Sequence, residues 1–104
     1  MAKIYRYWRS SRGDGYSTAE VTYFAEATGH DAYGKTRKTQ KAAINDALRL
    51  AKKYGEDSIN IYADADLADI LDDGTVVYSG KDQIHIGGVT NGKFFDLHER
   101  ADWL

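Results

Sequence analysis

TQKAAINDALRLAKKYG, residues 39–55, is the stretch on which the fold turns. Ala43, Ile44, Ala47, Leu48, Ala51 and Tyr54 recur at the spacing of one helix face. Thr39 can accept a hydrogen bond from the first free amides, as an N-cap does, and Gly55 stands where a helix ends. Lys52 and Lys53 fall in the last turn, where the helix dipole favours cations. The spacing predicts a helix over about 39–54. Its opposite face carries Lys41, Asn45, Arg49 and Lys52 with Lys53.

Strands are expected on both sides of this helix. KIYRYWR (3–9) alternates aromatic and basic residues, as a half-exposed strand does. SSRGDG (10–15) reads as a polar loop. From Tyr16 to Thr28, Val21, Tyr23, Ala25 and Ala27 fall on one face of an extended chain, and Thr18, Glu20, Thr22 and Glu26 on the other. Phe24 breaks that alternation. These two strands are expected to form a hairpin, and 29–38 to be a loop. After the helix, SINIYA (58–63) reads as a strand. ADADLADILDDG (63–74) reads as a short helix, Leu67 to Leu71, capped by Asp66 and ended by Asp72-Asp73-Gly74. TVVYS, QIHIGGV and KFFDLH then read as a three-strand meander. The expected architecture is α+β, a single domain over 1–104. It has a mostly antiparallel sheet of about six strands with the one main helix packed on one face.

Asn91-Gly92 is a strong type I′ hairpin signal, because both residues tolerate positive φ. That turn sets a register: Thr90 opposite Lys93, Val89 opposite Phe94, Gly88 opposite Phe95, and His85 opposite His98. The register places the two imidazoles on one face, where they could share a metal with Asp96. Two nitrogen ligands fall short of the four that structural zinc uses, so no metal and no cofactor are expected.

The chain has 104 residues and no cysteine, which removes a disulfide framework and a thiolate metal site. Lys3, Arg6 and Arg9 interrupt the N-terminal run, and no stretch approaches the roughly 20 apolar residues of a membrane span. A cytoplasmic protein is expected. No nucleophile elbow, Walker loop or dinucleotide fingerprint occurs, and the Asp-rich stretch does not fit a calcium loop. An enzyme is not expected.

The net charge of −2 conceals a division. Lys35, Arg37, Lys38, Lys41, Arg49, Lys52 and Lys53 stand against one acid, Asp46, in 35–53. Glu56, Asp57, Asp64, Asp66, Asp69, Asp72 and Asp73 stand against no base in 56–73. Eight tyrosines and two tryptophans are many for this length, and surface aromatics favour partner contacts. Two binding surfaces follow. An acidic face of Asp64, Asp66, Asp69, Asp72 and Asp73, with Tyr62 and Tyr78 as aromatic anchors, would meet a basic protein partner. Alternatively Lys38, Lys41, Arg49, Lys52 and Lys53 would contact nucleic-acid phosphates. If the two blocks met between copies, the chain would form a homo-oligomer.

Residues 39–55, following a hairpin and preceding SINIYA, resemble the hairpin–helix–strand core of HicB-type antitoxins. Thr39 and Ala43 match the Thr-x-x-Glu-Ala start of that family's helix, with Ala42 at the glutamate position. That resemblance implies an antitoxin-like regulator. The acids of 56–73, the aromatics and the lack of catalytic signatures also resemble phage-encoded inhibitors of bacterial defence, the anti-CRISPR proteins. This second resemblance implies an inhibitor that occludes a nucleic-acid-binding surface of its target.

Overall fold

A computed structural model describes residues 3–10, 13–98 and 102–103, with Ser10, Asp102 and Trp103 described by their backbone. The fold is α+β: one α-helix and one antiparallel sheet that does not close into a barrel. The strands are β1 (Tyr5–Ser10), β2 (Gly13–Ser17), β3 (Thr22–Ala27), β4 (Ala32–Tyr33), β5 (Ile59–Ile70), β6 (Val76–Thr90), β7 (Lys93–Asp96) and β8 (Asp102–Trp103). The helix α1 (Gln40–Tyr54) lies between β4 and β5.

The helix forms where the periodicity places it. Thr39 is extended (φ −124°) and its Oγ1 accepts from the Ala42 amide at 3.2 Å. Gly55 closes the other end with its amide donating to the Ala51 carbonyl. The Thr39 cap is worth about 1 kcal/mol. Ala43, Ala47 and Ala51 are buried, and these small side chains let the helix lie close on the sheet. Beneath it are Tyr23, Ala25, Ala27, Ile59, Ile61 and Ala63, the inward residues of β3 and β5.

β5 organises the sheet. One of its edges carries β3 along 59–64 and β2 at Leu67, so β2 and β3 are two parts of one extended run. The expected strand Tyr16–Thr28 is therefore interrupted at 18–21. Ser17 makes the interruption tolerable. Fully buried, its Oγ donates to the Ala19 carbonyl at 2.7 Å and accepts from the Asp66 amide at 3.0 Å. The expected loop 10–15 is also shorter, because Gly13, Asp14 and Gly15 pair with Ser10, Arg9 and Trp8 in the β1–β2 hairpin. Gly15 lies so close to the Trp8 indole that any side chain there would collide with it. Within the expected loop 29–38, β4 pairs with β3, and Arg37 bridges to Tyr23.

The largest departure is at 63–74, where no short helix forms. β5 runs on through Asp66 and Leu67 to Ile70. Ala63, Ala65 and Leu67 continue the inward alternation of Ile59 and Ile61, and β6 pairs along the whole length. Cross-strand pairing prevails over the helix preference of alanine and leucine. TVVYS and QIHIGGV are likewise one strand, β6, carrying two irregularities in its pairing with β5. Gly80, at φ 138°, stands at the first.

The Asn91-Gly92 turn has the positive φ values that type I′ requires, 53° and 74°, and the pairs Gly87–Asp96 to Thr90–Lys93 follow the expected register. Glu56 holds this turn from outside, accepting from the Asn91 and Gly92 amides at 3.1 and 2.7 Å. Among the described residues, no helix is long and apolar enough to cross a membrane.

Candidate functional site: the open face of the sheet

Because side chains alternate along a strand, burying Tyr23, Ala25, Ile61 and Ala63 under α1 turns Thr22, Phe24, Glu26, Asn60, Tyr62 and Asp64 to the other side. Among the described residues, that side bears no helix. Register then assembles rows across it. Phe24, Tyr62 and His85 form one row, with ring centroids 5.3 Å apart between the first two and 5.1 Å between the last two. Thr22, Asp64 and Gln83 form the next, followed by Asp66 opposite Lys81 and Ala68 opposite Tyr78. At the near end Asn60 pairs with Gly88, which Phe95 covers.

The row depends on a bulge. Ile61 pairs with Gly87 but Tyr62 pairs with His85, so Ile86 is the extra residue and is fully buried. The bulge moves His85 off the face shared by Val89 and Phe94, where the turn register alone put it. The two histidines therefore do not form a pair. His85 Nε2 lies 3.1 Å from the Gly87 carbonyl, and His98 Nε2 lies 3.3 Å from the His85 carbonyl. Among the described residues, no three His, Cys, Asp or Glu side chains are grouped so as to hold a metal ion.

The face is acidic. Glu20, Thr22, Asp64, Asp66, Lys81 and Gln83 border a groove of about 430 Å³ where β2 gives way to β3. Burial, and after it the Glu26 carboxylate, raises the Tyr62 phenol above its usual pKa, so it stays a neutral donor. Glu26 itself accepts from Thr28 Oγ1 at 3.2 Å, which in turn accepts from Asn60 Nδ2 at 2.7 Å.

The acids singled out in the sequence do not all meet here. Tyr62, Asp64, Asp66 and Tyr78 share the open face. Asp69, opposite Val77, points to the other side. Asp72 and Asp73 lie in the turn joining β5 to β6, where Asp73 accepts from the Thr75 amide at 2.9 Å. Hydrogen bonding from the Thr75 side chain, and after it from the Thr75 amide, holds the Asp73 carboxyl below the usual range. Phe24 and Glu20 were not among the expected site residues, and His85 was considered only as half of a metal pair with His98. The signal for Phe24 was its own irregularity: an aromatic on the polar side of an alternating strand.

The basic residues lie elsewhere. Lys38, Lys41, Lys52 and Lys53 are exposed around α1, on the far side of the sheet. Lys53 Nζ sits 5.3 Å from the centre of the Tyr54 ring. Arg49 is exposed as well and gives one of its donors to Asp46. The ion pairs among the described residues, Arg6–Asp14, Arg37–Asp46 and Arg49–Asp46, use no acid from 56–73. The two charged blocks thus stay apart.

No protein-family model, curated protein or solved structure matches the chain.

Proposed function

We propose that this chain is a non-enzymatic binding protein that occludes a basic, nucleic-acid-binding surface of a partner protein with the open face of its sheet. One observation carries the reading: the Phe24–Tyr62–His85 row runs beside the Glu20, Asp64 and Asp66 carboxylates on a face that no helix covers. A row of carboxylates offers the negative charge that a phosphate-binding surface attracts. Stacked rings offer flat surfaces of the kind bases present. The acids would steer encounter, and the rings would supply most of the affinity. The resemblance to anti-CRISPR proteins agrees with this reading in kind, and it selects the first targets to try.

The test is displacement. Bacterial RNA-guided nucleases are loaded with fluorescent target DNA, and the chain is titrated in. The expected result is release of DNA by the native chain and none by the Asp64→Lys, Asp66→Lys form. Release by both forms alike would contradict the assignment of the face. Retention of DNA throughout, across nucleases of several classes, would remove the inhibitor reading.

A further inference from the structure

On the helix side of the sheet, we propose a second site: a phosphate-binding groove between the Tyr33–Arg37 segment and α1, with Tyr33 at its rim to take the ring of a nucleotide. Asp46, Arg49, Leu50 and Lys53 fall on one stripe of α1, at the i, i+3, i+4, i+7 spacing. The segment opposite is anchored to β3. Gly34 N donates to the Ala25 carbonyl at 2.8 Å, and Arg37 and Tyr23 exchange both backbone hydrogen bonds at 2.7 Å. Between the two lies a groove of about 370 Å³, with Lys35, Arg37, Arg49 and Lys53 on its walls and Tyr33, 59% exposed, beside them.

The acid in this groove is already used. Asp46 is 2% exposed, and its two oxygens accept from Arg37 Nε and Nη2 at 2.8 and 3.0 Å and also from Arg49 Nη2. A guanidinium has about five N–H donors, and Asp46 takes two from Arg37 and one from Arg49, leaving most of Arg49's donors for a ligand. One bidentate arginine is enough to balance one buried carboxylate. Here a second arginine, 68% exposed, is fixed to the same carboxylate, and two lysines stand on the same walls. Four cations around one spent carboxylate repel one another, and an anion in the groove relieves that repulsion. Arginines held in place by a buried carboxylate suit the planar, bidentate recognition of phosphate. Gly34 belongs to the same construction: a Cβ there would lie 2.9 Å from that of Asp46.

A phosphate monoester reaches such a groove either on a free nucleotide or at the end of a nucleic-acid strand. The probes are therefore ADP, inorganic phosphate, and a short DNA strand with or without a 5′-phosphate, each followed by amide chemical shifts. The expected result is saturable shifts of Gly34, Lys35, Leu50 and Lys53 with ADP, or with the 5′-phosphorylated strand if that is the source. Arg49→Ala with Lys53→Ala should weaken binding about tenfold or more. Lys41→Ala with Lys52→Ala, a change of equal charge outside the groove, should leave it within about twofold. Equal loss in both pairs, equal shifts from the strand lacking its 5′-phosphate, or no groove shifts with any probe would overturn the proposal.

Discussion

Asp46 is a carboxylate at 2% exposure on a helix whose other buried residues are alanines. It is fixed by the Arg37 fork and by Arg49. Replacing it with alanine removes the partner shared by Arg37 and Arg49 and should cost about 1–3 kcal/mol in urea unfolding. The Arg37 hydrogen bonds, ahead of the opposing effect of burial, hold its carboxyl below the ordinary range. Its contribution to stability is then present above the usual carboxylate pKa and fades as pH falls through the lowered folded value. In Asp46→Asn the acid limb of a stability–pH curve should be shallower. Tyr23 works at the other extreme. Burial raises its phenol to about 12, so stability falls as pH climbs from about 10 towards that value, and Tyr23→Phe should flatten the fall. Ser17→Ala strands the Asp66 amide and opens the break between β2 and β3, at a cost of about 1–3 kcal/mol by the same unfolding measurement.

The long β5–β6 hairpin is where sequence and structure part. The helix was legible because caps and periodicity agree, and so was the Asn91-Gly92 turn, whose geometry fixes its register within a few residues. ADADLADI carries two periods at once. Its alanines and leucine suit a helix, while Ala63, Ala65 and Leu67 also alternate. Only the presence of β6 alongside decides between them. The bulge at Ile86 has no local signature, since it arises from the pairing of β6 with β5. For that reason His85 could not be placed beside Tyr62 from sequence. The acidic character of the site was legible. Which acids of 56–73 reach it, Asp64 and Asp66, was not, because alternation sends Asp69 to the opposite side. The prediction at this scale concerns Glu56, counted among the acids but used to hold the β6–β7 turn. Glu56→Ala should destabilise by about 1–2 kcal/mol and raise hydrogen exchange at Asn91 and Gly92, with binding through the open face unchanged.

The molecule measures 49 × 26 × 19 Å, longer than a helix of 15 residues spans at about 22 Å. The helix therefore covers part of one side of the sheet. The opposite side stays open, and charge follows this division, with basic residues around α1 and carboxylates on the open face. Association through that face with a basic partner should slow as salt rises. The most direct test is an amide-shift titration with an oligoarginine peptide as a minimal basic surface. The account predicts shifts centred on Phe24, Tyr62, Asp64, Gln83 and His85, lost in the Asp64→Lys, Asp66→Lys form. Shifts centred instead on the Asp72–Asp73 turn, or spread evenly over the acids of the chain, would contradict it.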